Sequence, residues 1–175
     1  MITLHSPLDM HLHVRDGQML SLVAPLSAQT FSGALIMPNI IPPLTTLEEL
    51  IGYKNRIKEA VQSETFEPYM TLFFQKYDKH FLERAKDHIS GIKLYPAGIT
   101  TNSENGVKDL GDVDETLKIM EALEIPLCVH GETNGFVMDR ENEFLSIYAN
   151  LAQKYPRLKI VMEHITTKGA VELLD

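Results

Sequence analysis

The stretch Asp9-Met10-His11-Leu12-His13-Val14-Arg15 carries two histidines, two residues apart, at the end of an apolar segment. In a β-strand, residues i and i+2 point to the same face, so His11 and His13 would present their imidazoles side by side, and Arg15 would follow on that face. Imidazole is a common ligand of zinc and similar ions. Such spacing also arises by chance, so the pair alone leaves both a metal-binding and a structural role open.

Composition and charge narrow the class of protein. The chain has 175 residues, of which 44% are hydrophobic and 23% charged, as is ordinary for a globular domain. The formal net charge of −8 argues against nucleic acid as a partner, and an anionic substrate would need a local cationic pocket. The single cysteine, Cys128, cannot form an intrachain disulfide and is expected in the core.

No targeting or membrane segment is predicted. Residues 1–7 lack the basic and long apolar regions of a signal peptide, and no apolar run is long enough to span a membrane. We therefore expect a cytoplasmic protein without a membrane partner.

Short apolar runs alternate with amphipathic segments along the chain, which favours βαβ units and a parallel sheet. The second run, for example, is continuously apolar, as in a strand buried on both faces. Thr46 with Glu49 resembles a capping box at the start of a helix. The predicted strands are Leu4–His13, Gly33–Met37, Tyr69–Phe74, Ile89–Tyr95, Pro126–His130 and Leu158–His164.

About six βα units are thus expected, and two architectures compete: an open doubly wound sheet and a (β/α)₈ barrel. No Gly-x-Gly-x-x-Gly follows the first strand, so dinucleotide binding is not indicated. We find no repeat, low-complexity tract or interdomain linker, and expect residues 1–175 to form one domain.

Polar residues lie at the ends of many predicted strands. In a parallel barrel the carboxyl ends of the strands share one face, where active sites are built. Lys93 is unusual because it lies inside an apolar strand; either its amine reaches the surface, or it is altered or functional. The strand-end set is His11, His13, Arg15, Asn39, Lys93, His130 and His164.

Other polar residues carry weaker signals. Strand alternation would turn Glu163 to the face opposite His164, which favours a structural role for it. Glu132 is expected either to orient a ligand or to be solvated in a loop. Residues 96–111 are predicted to form a long loop, and long loops are often functional. We expect surface or packing roles for His5, His80 and His88.

The strand-end motifs resemble those of dihydroorotases, in the amidohydrolase superfamily, over essentially the whole chain. Arg15 and Asn39 separate this family from other amidohydrolases such as hydantoinases. The segment Thr100-Thr101-Asn102-Ser103 is similar to the substrate-covering loop of the shorter, stand-alone bacterial class. The motifs are 9–15, Met37-Pro38-Asn39, Gly91-Ile92-Lys93-Leu94-Tyr95-Pro96, Val129-His130-Gly131-Glu132 and Glu163-His164.

The resemblance implies a (β/α)₈ barrel with two divalent metal ions, usually zinc. His11 and His13 would bind one ion and His130 and His164 the other, while Lys93, carboxylated by carbon dioxide, would bridge both. A bridging water would become hydroxide near neutral pH.

The resemblance also implies the substrate contacts. Arg15 and Asn39 would hold the substrate carboxylate, because the arginine fork suits a carboxylate, and Thr100 and Thr101 would cover the substrate. A homodimer is the family expectation.

The family reaction is the reversible cyclisation of N-carbamoyl-L-aspartate to L-dihydroorotate, with loss of water, in pyrimidine biosynthesis. In these enzymes the catalytic aspartate, the general acid/base, follows the eighth strand. We therefore expect the chain to be the N-terminal portion of a longer enzyme, inactive by itself. Two alternatives remain: another cyclic amidase such as a hydantoinase, and a non-catalytic dihydroorotase-like subunit.

Overall fold

The computed structural model describes residues 2–62, 65–107 and 110–174. Strands and helices alternate along these residues, and a short 3₁₀ helix at Leu110–Val113 precedes the fourth α-helix. The elements are β1 (Leu8–Leu12), α1 (Gly17–Ala28), β2 (Gly33–Ile36), α2 (Leu47–Val61), β3 (Glu67–Phe73), α3 (Lys79–Ala85), β4 (Gly91–Leu94), α4 (Asp114–Leu123), β5 (Leu127–Val129), α5 (Arg140–Lys154), β6 (Ile160–Met162) and α6 (Lys168–Glu172).

The six strands form one sheet in sequential order, β1 to β6, and every neighbouring pair is parallel. A doubly wound sheet would reverse its strand order at a switch point, and this sheet does not. Parallel strands that follow one another in sequence order are typical of a (β/α)₈ barrel. These residues supply six of its βα units. The predicted fold class is confirmed.

Side chains alternate between two buried faces of the sheet. On β4, Ile92 and Leu94 pack into the main core, between the sheet and the helices, while Lys93 points to the inner face. On β5, Leu127 and Val129 join the same core, and Cys128 clusters with inner-face residues instead. Burial on both faces explains why these strands are continuously apolar in sequence.

The inner face is apolar toward the amino ends of the strands. A cleft of about 300 Å³ there is lined by Leu8, Met10, Leu35, Tyr69, Ser90, Pro126, Cys128 and Val161. Polar side chains are instead concentrated at the carboxyl ends. Among the described residues, no helix has both the length and the apolar character needed to cross a membrane.

The first and last strands are shorter than predicted. β1 begins at Leu8 rather than Leu4, because pairing with β2 begins where Leu8 meets Gly33. β6 ends at Met162 rather than His164. Both differences arise because a strand extends only as far as its neighbour offers backbone partners.

The capping box predicted at the start of α2 is present. The Thr46 hydroxyl accepts a hydrogen bond from the Glu49 amide at 3.3 Å, and the Glu49 carboxylate accepts one from the Thr46 amide at 3.0 Å. Each bond satisfies an amide that the helix itself leaves unpaired.

Replacing Thr46 with Ala should therefore lower the free energy of unfolding by ~1 kcal/mol, measured by urea denaturation. Ser21→Ala is the matched control, because Ser21 is exposed on α1 and its hydroxyl makes a long bond, 3.5 Å, to the Gly17 carbonyl. A loss of stability in the control equal to that of Thr46→Ala would contradict the capping role.

Candidate active site

The two histidines that end β1 face each other. The Nε2 atoms of His11 and His13 lie 3.1 Å apart, and their ring centroids are 5.0 Å apart. An irregularity in β1–β2 pairing between Asp9 and Leu12 accompanies this placement, and the Asp9 carboxylate accepts a hydrogen bond from the His11 amide at 3.0 Å. Two imidazole nitrogens at this separation are close enough to bind one cation together through their lone pairs.

The histidines that follow β5 and β6 join this pair. The ring of His164 lies 5.2 Å from that of His11 and 4.6 Å from that of His130, measured between centroids. The structure thus brings together all four histidines predicted as metal ligands, from three strands far apart in sequence. Convergence at the carboxyl ends is what parallel barrel winding produces.

His130 is placed by close packing just after β5. The Tyr148 hydroxyl donates a hydrogen bond to the Val129 carbonyl at 3.2 Å. Gly131 allows this approach, because a Cβ atom at that position would lie only 2.3 Å from the same hydroxyl. A side chain larger than hydrogen at residue 131 would therefore displace the chain beside His130.

Glu163 lies at the candidate site, contrary to the side-chain direction expected from the sequence. The Val161 side chain lines the inner cleft and Met162 packs against the main core, so alternation returns Glu163 to the inner face. His164 has left the strand and adopts a positive φ of 41°, which turns its side chain toward the site as well. The expectation that the two residues face opposite ways fails because β6 ends before His164.

Glu163 is buried, and its carboxylate lies between two predicted metal ligands. Its Oε1 atom is 3.2 Å from His11 Nδ1, and its Oε2 atom contacts Lys93 Nζ. Donor atoms of His11, Glu163 and His164 all lie within 4.8 Å of one another.

Lys93 has no exposure to solvent, so its amine does not reach the surface. Its Nζ atom lies 5.0 Å from the centroid of the Tyr95 ring. Burial lowers the pKa of Lys93 to about 7, because the charged amine is removed from water. Of the explanations open from sequence, an amine that reaches the surface is therefore wrong.

The imidazoles are held in their neutral form. Burial, reinforced by neighbouring positive charge, lowers the pKa of His11, His13 and His164 to about 4 each. The pKa of His130 is lowered for the same main reason. Neutral imidazole is the form that binds metal, so all four rings can offer a lone pair at pH 7.

The donor set fits a zinc-like cation. Several buried polar atoms make no hydrogen bond with the described residues, and two of them, His11 Nδ1 and Lys93 Nζ, lie within contact distance of the Glu163 carboxylate. Neutral imidazoles with an anionic oxygen donor are ordinary ligands of Zn²⁺. The atoms are His11 Nδ1, His130 Nε2, Lys93 Nζ and both carboxylate oxygens of Glu163.

Arg15 and Asn39 both flank His13. The Arg15 charge lowers the pKa of His13, whereas a side-chain hydrogen bond with Asn39 raises it. The Tyr53 hydroxyl donates to the Arg15 carbonyl, and this contact fixes Arg15 at a positive φ of 59°. Arg15 retains a buried N–H group without a hydrogen bond among the described residues, so it is available to an anionic ligand.

The loop after β4 is docked onto Asn39. The Asn39 amide nitrogen donates to the Thr101 carbonyl at 2.9 Å, and the Asn102 amide nitrogen donates to the Asn39 carbonyl at 3.0 Å. Ser103 is fully buried, and its hydroxyl donates to the Thr100 carbonyl at 2.7 Å. The loop predicted to cover the substrate is thus next to the predicted anchor; residues 108 and 109 of that loop lie outside the described residues.

The positions of two further side chains at this site, those of Tyr95 and Asn102, were not among the predictions from the sequence. Tyr95 is buried, and its hydroxyl has no hydrogen bond with the described residues. Because Tyr95 lies two residues after Lys93, strand alternation predicts that both side chains point to the inner face. Asn102 gave no comparable signal, because its partner, Asn39, is distant in sequence. Glu132 contacts His130, with its Oε2 atom 3.2 Å from Nε2.

The chain is similar to dihydroorotases over nearly its whole length. A curated dihydroorotase from Helicobacter hepaticus is 46% identical over 181 residues, which cover 99% of this chain and 52% of that protein. The crystal structure of dihydroorotase from Campylobacter jejuni has a TM-score of 0.94 and 63% identity, covering 97% of this chain and 51% of that one. No family model matches the chain.

A more distant structure shares the fold. Dihydroorotase from Saccharomyces cerevisiae, solved in complex with 5-fluoroorotic acid, superposes with a TM-score of 0.87 and 36% identity, over 95% of this chain and 49% of that one.

Sequential parallel strands with histidines at their carboxyl ends place the chain in a class, the barrel proteins with the amidohydrolase fold. Within that class the chain is similar to dihydroorotases, since curated dihydroorotases match 99% of it at 41–46% identity. The chain spans about half the length of the curated relatives it matches.

Replacing Asn102 with Ala should release the loop from Asn39, in the segment that follows β2. Hydrogen exchange of the Gly98 and Thr100 amides, which are bonded within the loop at 2.9 and 3.0 Å, should accelerate about 5-fold or more, as expected for the loss of ~1 kcal/mol of local stability. Asn105→Ala, at an exposed position in the same loop, should leave the exchange unchanged. Equal acceleration in both variants would show that the Asn102 contact does not hold the loop.

Proposed function

We propose that the protein carrying this chain is a dihydroorotase, which catalyses the reversible cyclisation of N-carbamoyl-L-aspartate to L-dihydroorotate in pyrimidine biosynthesis. One observation carries the proposal: four imidazoles converge at the carboxyl ends of the strands near a fully buried lysine, with Arg15 and Asn39 beside His13. The similarity of the chain to dihydroorotases over 99% of its length supports the same reaction.

The proposed centre holds two divalent cations, with zinc as the metal. His11 and His13 would bind one ion and His130 and His164 the other, which is consistent with the ring separations in each pair. When bound, such ions lower the pKa of water and polarise a carbonyl oxygen.

Lys93 is proposed to lie between the two ions as a carbamate. Carbon dioxide reacts with neutral amine, and a fully buried position disfavours the charged ammonium. The carbamate is an anionic group with two oxygens, so a lysine in an apolar strand would become a ligand able to reach two cations.

Arg15 and Asn39 are proposed to anchor the substrate carboxylate. Both flank His13, so an acid held there would place its ring against the histidines. The yeast relative was crystallised with 5-fluoroorotic acid, a compound of this chemical type. Thr100 and Thr101 are proposed to cover the bound substrate, since their loop is docked onto Asn39 and can limit the entry of water.

The proposed partner is a small-molecule substrate. Cytoplasmic location, a homodimer and a single domain over residues 1–175 stay predictions from the sequence and the resemblance.

Lys93→Ala should abolish the bridging ligand. We expect turnover of dihydroorotate by the protein in its native length to fall by at least ~100-fold, because even indirect supporting contacts of a metal site contribute 10- to 100-fold. Zinc content, measured by elemental analysis, should fall with it. Lys79→Ala is the control, since its side chain is 71% exposed. Near-normal turnover and zinc content in Lys93→Ala would contradict the mechanism.

Arg15→Lys separates this function from that of a hydantoinase. The variant keeps the positive charge but loses the paired N–H donors of the guanidinium group. We therefore expect kcat/KM for dihydroorotate to fall about 10- to 150-fold, which corresponds to 1.5–3 kcal/mol for a charged hydrogen bond. Arg56→Lys, on the surface beside Asp16, is the control. Faster turnover of hydantoin than of dihydroorotate by the unmodified protein would favour the alternative.

A further inference from the structure

Glu163 has no role in the function proposed above, yet its buried carboxylate lies 3.2 Å from one of the proposed metal ligands, His11. Its side chain is 3% exposed, and both of its oxygens lack a hydrogen bond with the described residues. Burying an ionised carboxylate is costly unless it is paired. Its described ion-pair neighbours are His11 and Lys93.

These two neighbours differ in what they can provide. A carboxylated Lys93 would itself be an anion, so it could not stabilise a second buried anion beside it. His11 would then be the remaining partner, through Nδ1, which lies 3.2 Å from Glu163 Oε1. That distance is short enough for a hydrogen bond once the two groups are aligned, although neither atom makes one with the described residues.

The two nitrogens of His11 face different groups. Nδ1 faces Glu163, whereas Nε2 faces His13 Nε2 at 3.1 Å. A neutral imidazole carries one N–H group and one lone pair. A proton on Nδ1, on the side of the carboxylate, leaves the lone pair on Nε2, which faces the other histidine proposed to bind the same ion.

We propose that Glu163 is a positioning residue that accepts a hydrogen bond from His11 Nδ1–H and so fixes the tautomer and orientation in which His11 binds metal through Nε2. The proposal rests on the metal centre of the proposed function. Carboxylates that orient metal-binding histidines in this way also raise the basicity of the ligand.

Glu132 differs from Glu163 in the histidine nitrogen that it contacts and in its exposure to solvent. It contacts Nε2 of His130 rather than Nδ1 of its histidine, and its side chain is 34% exposed. Water can therefore stabilise the Glu132 carboxylate, whereas Glu163 depends on protein groups.

The test uses Glu163→Gln in the protein of native length. Zinc affinity is measured by competition with a chromophoric chelator, and the His11 tautomer by long-range proton–nitrogen correlation spectra of histidine-labelled, zinc-free protein. We expect zinc affinity to fall ~10- to 100-fold and His11 to lose its preference for a proton on Nδ1. Glu172→Gln, a charge-matched control with a 61% exposed side chain, should change neither measurement.

Glu163→Asp extends the test if the glutamine variant fails to fold, as judged by circular dichroism. Aspartate keeps the charge but is one methylene shorter, so we expect weaker zinc binding in a folded protein. Wild-type affinity together with an unchanged His11 tautomer in a folded Glu163 variant would overturn the role of Glu163 and leave the proposed function standing.

Two further outcomes are decisive. A zinc-bound crystal structure with a Glu163 oxygen about 2.0–2.2 Å from the metal would make Glu163 a ligand and overturn the positioning role. Failure of the unmodified protein both to bind zinc and to turn over dihydroorotate would overturn the proposed function, and the role of Glu163 with it.

Discussion

The desolvation of the Lys93 amine is the constraint on which the site depends. An ammonium group without water is costly in a protein interior unless it is paired or neutralised. The groups around the amine are consistent with this constraint. Glu163 is in contact with the amine, the Tyr95 ring lies beside it, and the nearby imidazoles are neutral. At a position that disfavours a free ammonium group, chemical alteration of the lysine has the smallest free-energy cost.

The same alternation of side chains gives the protein both its core and its site. Residues facing outward on β4 and β5, such as Ile92 and Val129, fill the space beneath the helices. Residues facing inward pass from an apolar cleft at the amino ends to Lys93 and His130 toward the carboxyl ends. Sequence reasoning could reach this arrangement, because period-two alternation and parallel winding follow from the pattern of apolar runs.

Alternation fails as a guide where a residue has left its strand. His164 and Arg15 both adopt positive φ, so the position of each side chain depends on the turn rather than on the strand. That is why Glu163 and His164 reach the same site although they are adjacent in sequence. Nothing in the residue types at 163 and 164 marks where β6 ends, since the end is set by its pairing with β5.

Contacts between loops could not be predicted from the sequence either. Asn39 shows what such contacts contribute to the site. Its amide nitrogen has two N–H groups, and one of them is used by the Thr101 carbonyl. The second N–H allows Asn39 to contact a carboxylate while the loop stays docked. Because Asn102 reaches back to the Asn39 carbonyl, the loop is joined to the backbone as well as to the side chain of the proposed anchor. Holding the substrate and limiting the entry of water are therefore compatible at one residue.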